Sequence, residues 1–299
     1  MKTYPDVPVV VVKLALSTTQ ISSMNWSHDL KVLLQALQAM NRDGVSGQIL
    51  VSAVHDGAAN ALLTMWFLNH TDITQGERLM QPFFAMLSQN GTSNSLSSRA
   101  LSRLTSSYRQ VPDKNPTNNG IVAGSVVLSN ELFNSKYGPD RIAQAFADLP
   151  MAPGDLFFTS NLGGRVVAMQ DGDNTAMHPG WRSSAHLVSY IQTVQPSFEA
   201  KASALDRLTH ELMPLLYSID PEFRLSYRNV GDPNENDFQR VYWGPKYGRL
   251  RRVKNKWDPE DLFICKLGVG SEQWDDQLFC RNRPRVVDRI LDWVRGYMP

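Results

Sequence analysis

The sequence predicts an α+β fold in which helices flank a large antiparallel β-sheet. Apolar, β-branched runs of strand length recur along the chain, and several are joined by short loops. Helical patterns lie between groups of strands and do not alternate with single strands, which favours antiparallel over parallel pairing. With 299 residues, 42% of them hydrophobic, the chain can bury a substantial core.

The first part of the chain predicts a strand followed by a helix. Val7–Leu16 has the apolar, β-branched composition of a buried strand. Ser27 is predicted to cap the following helix, which Gly44 and Gly47 should end. Apolar residues recur on one side of this helix at helical spacing: Leu30, Leu33, Leu34, Leu37 and Met40.

The next segment predicts two paired strands and a second helix. Gln48–Val54 and Ala61–Leu68 are β-type runs separated by His55-Asp56-Gly57, which suits an antiparallel pair with a tight connection. Thr71–Gln75 should begin a helix that ends by Gly91. The apolar residues of this helix are Leu79, Phe83, Phe84 and Leu87.

The remaining elements follow the same patterns. Gln110–Gly120 is rich in Pro, Asn and Asp, which predicts a surface loop. The predicted strands are Ile121–Leu128, Leu156–Ser160, Arg165–Met169 and Ala185–Ile191. The predicted helices are Asp140–Leu149, Phe198–Tyr217, Asn236–Trp257 and a short amphipathic segment at Arg283–Met298. Pro259 should end the third of these helices near Asp258.

Composition and charge narrow the classes of partner. A formal net charge of +1 gives no electrostatic case for nucleic acid or an anionic membrane surface, which favours a small-molecule partner. The most apolar run, Val7–Leu16, contains Pro8 and Lys13 and falls short of the roughly 20 apolar residues of a membrane span. Together with Asp6, the same two residues argue against a signal peptide.

No self-sufficient catalytic or metal-binding motif stands out in the sequence. The six histidines are scattered, and Cys265 and Cys280 lack a partner pair at metal-ligand spacing, so no metal is predicted. A disulfide and two thiols both remain open for these cysteines. Gly268-Val269-Gly270 lacks the third glycine of a dinucleotide fingerprint, and hydrolase, kinase and metalloprotease signatures do not occur.

Two polar clusters deserve separate interpretations. His178-Pro179-Gly180-Trp181-Arg182 places an imidazole, an indole and a guanidinium on one predicted turn between strands, where they could brace the turn or contact a ligand. The basic residues from Lys246 to Lys256 share a helical segment with apolar residues, and a solvated helix face is the simpler prediction.

Three tripeptides match the acceptor signal for N-linked glycosylation. They are Asn25-Trp26-Ser27, Asn69-His70-Thr71 and Asn90-Gly91-Thr92. In a chain rich in Ser and Thr, some such matches are expected by chance, and they matter only in a secretory setting.

Three blocks together resemble the fungal branch of the berberine-bridge, or oxygen-dependent FAD-linked, oxidase family. The blocks are Gly163–Val167 with Thr175–Arg182, then Tyr227-Arg228-Asn229 with Tyr242-Trp243-Gly244 and Trp257-Asp258-Pro259, and finally Gly268–Trp274 with Leu278 and Cys280. The second block is the most specific. Tyr4-Pro5-Asp6 also resembles the start of the substrate domain in this family, so the resemblance runs from about Tyr4 to Cys280.

The resemblance implies that different segments of the chain have different functions. It implies a substrate-binding domain over residues 1–220 and a flavin-proximal segment over 221–282. The residue pattern adds an amphipathic tail over 283–299. Tyr227 and Asn229 would lie beside the flavin ring of FAD, and His178, Trp181 and Arg182 would line the substrate side. The implied activity is dehydrogenation or oxidative cyclisation of a small molecule such as an alkaloid in fungal secondary metabolism, with molecular oxygen accepting the electrons.

The sequence also departs from the family pattern. The Gly-Gly-His segment and the cysteine that can hold flavin covalently in the front domain of relatives do not occur in it, so the resemblance implies a truncated, C-terminal portion of the family without its N-terminal FAD-binding domain. Val230 stands where many relatives carry a Tyr or Glu base, and Val166–Met169 stands where some plant relatives carry a carboxylate, so no catalytic residue is assigned. A catalytically inactive remnant and a flavin-independent cyclase that reuses the substrate cavity are the alternative hypotheses. The cellular location stays open.

Overall fold

The chain divides into two compact units. The computed structural model describes residues 5–108, 120–162, 175–282, 290 and 293. One unit, unit 1, contains Met1–Asp171 and Gly180–Asp232, and the other, unit 2, contains Gly172–Pro179 and Pro233–Pro299. The division at residue 220 inferred from sequence concerns functional roles and stays a prediction.

Unit 1 is built on a seven-stranded sheet. The strands are β1 (Val9–Thr18), β2 (Ser46–Ala53), β3 (Ala59–Leu68), β4 (Thr92–Leu101), β5 (Gly120–Ser129), β6 (Leu156–Asn161) and β7 (Ser184–Val194). Their order is β4-β1-β3-β2-β6-β7-β5, and every neighbouring pair is antiparallel. The predicted α+β class with a large antiparallel sheet is therefore confirmed.

Most helices of unit 1 pack on one face of the sheet. They are α1 (Met24–Arg42), α2 (Ile73–Ala85), α3 (Thr105–Tyr108), α4 (Asn130–Phe133), α5 (Gly138–Asp148), α6 (Phe198–Arg207) and α7 (Met213–Tyr217). Apolar residues of α1, α2, α5, α6 and α7 join alternate strand residues such as Leu14, Leu63 and Phe157 in one buried core. Because strand side chains alternate between faces, the second set of strand residues forms a separate surface.

The predicted helix boundaries in the first half need two corrections. Ser23, not Ser27, caps α1, because the Ser23 hydroxyl accepts a hydrogen bond from the Trp26 backbone N–H. Gly47 does not end that helix but lies in β2, where a Cβ atom would collide with Met65 and Leu37. Asp72 caps α2 by accepting from Thr74 N, as the predicted start of this helix allows.

Strand β4 was not predicted from the sequence. Its residues are mostly Ser, Thr and Asn, and they lack the apolar alternation that marks a half-buried strand. The strand forms an edge of the sheet and pairs only with β1 among the described residues, so most of its side chains are partly or fully exposed. Edge strands tolerate polar composition because solvent covers one side.

The predicted helix Phe198–Tyr217 is confirmed, with one irregularity. A π-type turn over Leu208–Leu212 separates α6 from α7. The predicted helix Asn236–Trp257 in unit 2 is wrong in its first half, where a π-type turn (Gln239–Trp243) and a 3-10 turn (Gly244–Lys246) precede α8 (Tyr247–Trp257). Asp258 ends α8 as predicted.

The interruption in unit 2 occurs at Gly244. This residue adopts φ 60° and ψ −148°, a conformation that is open essentially to glycine alone. Proline follows at position 245 and removes a further backbone donor. Around the break, a small apolar cluster forms from Phe238, Val241 and Tyr242, with Trp243, Tyr247 and Leu267 packed against it.

The basic residues from Lys246 to Lys256 do not form a uniformly solvated face, in contrast to the prediction. Lys246 is buried and its ammonium donates to the Thr175 carbonyl at 3.2 Å. Lys254 pairs with Asp258 and lies 3.5 Å from Asp261. A charge that is removed from water needs a partner. The ammonium groups of Lys246 and Lys254 find carbonyl and carboxylate partners inside unit 2.

Some predicted elements fall outside the described residues. They are most of the loop Gln110–Gly120, the strand Arg165–Met169 with the glycines before it, and nearly all of the segment Arg283–Met298. Within the described residues, no helix is long and apolar enough to cross a membrane.

Candidate functional site

The face of the sheet opposite the helices carries a mixed apolar and polar surface. Ala15, Leu62, Leu50, Phe158, Ser189 and Ser125 stand opposite one another on six successive strands, so their side chains share this face. Leu50, Leu62 and Phe158 are partly exposed although they lie in the middle of the sheet. Side chains of this size and polarity can hold a flat organic molecule.

One end of this open face forms a groove of about 500 Å³ across β4, β1, β3 and β2. Its polar groups are four hydroxyls and two amides: Ser17, Ser52, Ser93, Ser95, Asn60 and Asn94. Leu50 and Leu62 supply the apolar part. No charged side chain lines the groove, which therefore suits an uncharged group that can hydrogen-bond.

At the other end of the sheet, the segment Leu225–Tyr227 is fixed to β5. Val127 N donates to the Leu225 carbonyl at 2.8 Å. The buried Ser125 hydroxyl lies 3.0 Å from the Ser226 hydroxyl and accepts from Tyr227 N at 3.3 Å. Leu225 also packs with Val127 and Leu187 in a small apolar cluster. Tyr227 is thereby held by the rigid sheet.

Tyr227 and Asn229, the two predicted flavin-proximal residues, contact each other directly. The Asn229 amide donates to the Tyr227 hydroxyl at 2.7 Å. A 3-10 turn over Arg228–Val230 follows Tyr227 and brings the two side chains to the same side. Both side chains are exposed to solvent. The pair is organised in advance and accessible to a ligand.

Trp181 completes this cluster. Its indole meets the Tyr227 ring edge to face, with ring centroids 6.0 Å apart and planes at 89°. The indole also packs against the apolar cluster under Leu225. Trp181 lies in the 3-10 turn Pro179–Arg182, and its carbonyl accepts from the Ser184 hydroxyl at the start of β7. The predicted substrate-side residue Trp181 and the predicted flavin-proximal pair therefore lie together in unit 1.

Arg182 lies beside Trp181 in the same turn and is half-buried. The turn is attached to α4 through the Ser183 carbonyl, which accepts from Asn130 N at 2.7 Å. Arg182 is thus placed on a well-anchored turn next to the aromatic pair. Its predicted contact with substrate stays a prediction.

His178, the third predicted substrate-side residue, belongs to unit 2 and contacts Arg240 and Gly244 of the same unit. Its Nε2 lies 3.1 Å from the Arg240 carbonyl, so this nitrogen carries the hydrogen and donates. The ring occupies the space in which a Cβ of residue 244 would stand. Burial lowers the pKa of His178 despite the hydrogen bond to Arg240, and Lys246 lowers it further. A neutral imidazole that braces the turn at Gly244 accounts for these contacts.

Sequence inspection missed the residues of the open face. Leu50, Leu62 and Phe158 fell within predicted strands, but their periodicity does not say which face a helix layer covers. Ser189 is 2% exposed, and its hydroxyl has no hydrogen-bond partner among the described residues. This hydroxyl is therefore a covered, unsatisfied polar group of the sheet, and its signal in the sequence is only a serine inside an apolar strand.

Neither a disulfide nor a cluster of metal ligands is found among the described residues. Cys265 and Cys280 are both exposed and form no disulfide. The described residues contain no cluster of His, Cys, Asp and Glu side chains that could hold a metal ion.

Comparisons with known proteins identify relatives across the whole chain. Residues 226–270 match the family model "Berberine and berberine like". The chain is 47% identical over 298 residues to the FAD-linked oxidoreductase easE of Arthroderma otae, covering 99% of this chain and 49% of that protein. It is 46% identical over 299 residues to the FAD-linked oxidoreductase easE of Epichloe festucae var. lolii, covering 100% of this chain and 49% of that one. The chain spans about half the length of these curated relatives.

The fold is similar to that of solved flavoproteins. The VAO-type flavoprotein MtVAO713 from Myceliophthora thermophila C1 superposes with a TM-score of 0.80 at 19% identity, over 94% of this chain and 52% of that chain. At this level of identity the likeness concerns the fold alone.

The residues of unit 1 fit one part of FAD, the cofactor of these relatives. The Asn229 amide suits the polar edge of a flavin ring, because it can donate and accept hydrogen bonds. Beside it lie the aromatic rings of Tyr227 and Trp181. Leu50, Leu62 and Phe158 suit a flat ring or a substrate above it. A glycine-rich cradle for the phosphates is not found in the described ranges, so the fit concerns the ring and not the whole cofactor.

Proposed function

Because this chain belongs to the berberine and berberine-like family of FAD-linked oxidoreductases, we propose that it supplies the substrate-facing part of such an enzyme. The proposed reaction is dehydrogenation or oxidative cyclisation of a small molecule such as an alkaloid in fungal secondary metabolism. FAD supplies the two-electron acceptor when bound. Molecular oxygen is the proposed final acceptor of the electrons.

The contact between Tyr227 and Asn229 is the observation that carries the proposal. Within the described residues, the Asn229 amide uses one N–H for the Tyr227 hydroxyl, which leaves its second N–H and its carbonyl oxygen for a ligand. A flavin ring has both donors and acceptors along its edge, and one amide can satisfy either kind. The pair would hold the ring, while Ser125 holds Tyr227 through the backbone.

The open face supports the assignment of a small-molecule substrate. Its central side chains, Leu50, Leu62 and Phe158, would exclude water from one side of a bound molecule. The Ser and Asn groups of the groove would orient the molecule through hydrogen bonds. Val230 has no group that can accept a proton, so the turn that carries Asn229 provides orientation and not acid-base catalysis at that position.

A chimera tests the proposal. The matching part of the Epichloe festucae relative, which is 46% identical to this chain, is replaced by this chain, and the purified protein is examined for the visible flavin absorption band. We expect a yellow protein whose flavin is reduced by substrate without oxygen and releases hydrogen peroxide when oxygen is added. Asn229→Ala should slow flavin reduction while the flavin stays bound, and Asn236→Ala, at an exposed site, serves as the matched control.

The same experiment separates the alternatives. A folded chimera that contains flavin but reduces it no faster than Asn229→Ala would contradict the assigned role of the pair. A chimera that folds but cannot acquire flavin would favour an inactive remnant. Conversion of substrate by the chain alone, in colourless form, would favour the flavin-independent cyclase.

A further inference from the structure

The three glycosylation signals lie in very different structural settings. Asn25 and Asn90 belong to one hydrogen-bonded region of unit 1, whereas Asn69 lies in the turn between β3 and α2. We propose that Asn69 is the acceptor of an N-linked glycan when the chain enters the secretory pathway, and that Asn25 and Asn90 serve the fold instead.

Asn25 is committed to a structural contact. It lies in the first turn of α1, and its side-chain amide donates to the Asn90 carbonyl at 2.7 Å. The next residue of its signal, Trp26, is 2% exposed and belongs to the core. A glycan on Asn25 would replace one N–H of this amide and crowd the loop that Asn25 holds, next to a Trp26 side chain that must pack in the core.

The signal at Asn90 is restrained through its hydroxyl residue. The Thr92 hydroxyl donates to the Asp29 carboxylate at 2.8 Å, and Asp29, which is fully buried, also accepts from Ser88 N at 2.8 Å. Thr92 is at the same time the first residue of β4. Thr92, the hydroxyl residue of the signal, is therefore fixed in the folded chain by a buried carboxylate of α1, and a glycan on Asn90 would have to fit beside this contact.

The signal at Asn69 is free of such restraints. Asn69 and Thr71 are both exposed, and within the described part of the chain neither side chain takes part in a hydrogen bond. The backbone of the turn is held by a hydrogen bond in which Asn69 N donates to the Pro8 carbonyl at 2.9 Å. The His70 ring contacts the Leu68 carbonyl and the Phe67 ring. The middle residue thus holds the turn while the acceptor and the hydroxyl face solvent.

The backbone at Asn69 also favours this assignment. Asn69 has φ 62°, in the left-handed region that Asn adopts more readily than most residues. The Asn69 side chain is exposed to solvent in this turn. In the proposed modification, the amide nitrogen forms a bond to the anomeric carbon of N-acetylglucosamine, loses one proton, and displaces the diphosphate of a lipid-linked oligosaccharide. No redox step is involved.

The test uses the full chain secreted from yeast behind an added leader. Treatment with endoglycosidase H should increase the electrophoretic mobility of the wild-type chain, and peptide mapping should find the residual N-acetylglucosamine on Asn69. Asn69→Gly and Thr71→Ala should each abolish the mobility change. Glycine is chosen because it keeps the positive φ that Gln would strain. Thr71→Ser keeps the signal and should keep the glycan.

The controls make the outcome decisive. Asn25→Gln and Asn90→Gln should leave the mobility change intact, and unfolding curves should show that Asn69→Gly and Thr71→Ala are folded. A glycan mapped mainly to Asn25 or Asn90, or a secreted and folded wild-type chain without any glycan, would overturn the proposal. Neither result depends on the proposed oxidoreductase function.

Discussion

The indole of Trp181 and the phenol ring of Tyr227 meet edge to face, with centroids 6.0 Å apart and planes at 89°. The two residues are 46 positions apart in sequence, and each is held by different elements: Trp181 by the turn before β7, and Tyr227 by Ser125 on β5. The aromatic pair therefore joins two chain segments beside the open face. Asn229 extends it with a hydrogen bond to the Tyr227 hydroxyl.

The aromatic pair should show energetic coupling. In a double-mutant cycle with Trp181→Leu and Tyr227→Leu, we expect a coupling of about 0.5–1.5 kcal/mol in the free energy of unfolding, the usual size for an edge-to-face pair. Urea unfolding of the four proteins measures it. Tyr137→Leu replaces an exposed Tyr at the start of α5, and its effect should simply add to that of Trp181→Leu. If the effects of Trp181→Leu and Tyr227→Leu on the free energy of unfolding simply add, the proposed energetic coupling is contradicted.

Asp261 should be the most sensitive charged residue of unit 2. It is buried, pairs with Arg281, accepts from Trp274 Nε1 at 3.3 Å and lies 3.5 Å from the Lys254 ammonium. Asp261→Ala should reduce the free energy of unfolding by about 2–4 kcal/mol, because it removes a buried carboxylate from Arg281 and Lys254, which are only partly buried. Thermal and urea unfolding measure the loss.

A second substitution separates charge from backbone conformation at the same position. Asp261 has φ 53°, which Asn tolerates better than Ala. Asp261→Asn should therefore cost less than Asp261→Ala, while Asp276→Ala, at an exposed carboxylate nearby in sequence, should change stability by less than about 0.5 kcal/mol. Equal losses of stability in Asp261→Ala and Asp276→Ala would refute an important role for Asp261.

The sheet was predictable where one face of a strand is buried. Val7–Leu16 and Ile121–Leu128 carry enough apolar, β-branched residues to be recognised, and they correspond to β1 and β5. The polar edge strand β4 has no such signal, because its stability comes from the backbone pairing with β1. The order of the strands was not predictable either, since the pairing of β6 with both β2 and β7 depends on long-range packing.

The candidate site was predictable in part. Tyr227, Asn229 and Trp181 were named from motif resemblance, and the structure brings them together. Ser125, which holds Tyr227, was not named, because a serine in an apolar strand has no local signature and its partner is 102 positions away. The break at Gly244 was missed because helical periodicity continues on both sides of it.

His186 should make stability fall in mild acid. Its ring is fully buried and stacked on Phe133 at 4.2 Å, and neither ring nitrogen has a hydrogen-bond partner among the described residues. Burial lowers the pKa of His186 from 6.5 to about 3. Between these two values the unfolded chain binds one more proton than the folded chain, so this residue contributes no penalty above pH 6.5 and a growing one below it.

The pH dependence has a defined slope. Each pH unit below the unfolded pKa should cost about 1.4 kcal/mol of the free energy of unfolding through His186. Urea unfolding at neutral pH and in mildly acidic buffers measures it. His186→Leu should remove this component of the slope, and His210→Gln, which changes an exposed histidine of the π-type turn, should retain it. An unchanged slope in His186→Leu would contradict the prediction.

Gly244 should tolerate no side chain. Its φ of 60° and ψ of −148° exclude other residues, and the Nε2, Cδ2 and Cε1 atoms of His178 fill the space of a Cβ atom. Gly244→Ala should therefore reduce the free energy of unfolding by about 2–5 kcal/mol, the sum of backbone strain and overpacking. Because the strain is independent of the ring, the further substitution His178→Ala should recover only the overpacking part.

Gly248, the second residue of α8, provides the matched control for Gly244→Ala. Gly248 is exposed, has ordinary helical geometry, and a Cβ there would meet only Arg252 at 3.9 Å. Gly248→Ala should raise the free energy of unfolding by about 0.5–1 kcal/mol, because alanine loses less backbone entropy in a helix. Two glycines four positions apart should thus respond with opposite signs in urea unfolding. Stabilisation by both substitutions would mean that residues 239–257 can form the continuous helix that the sequence periodicity predicts.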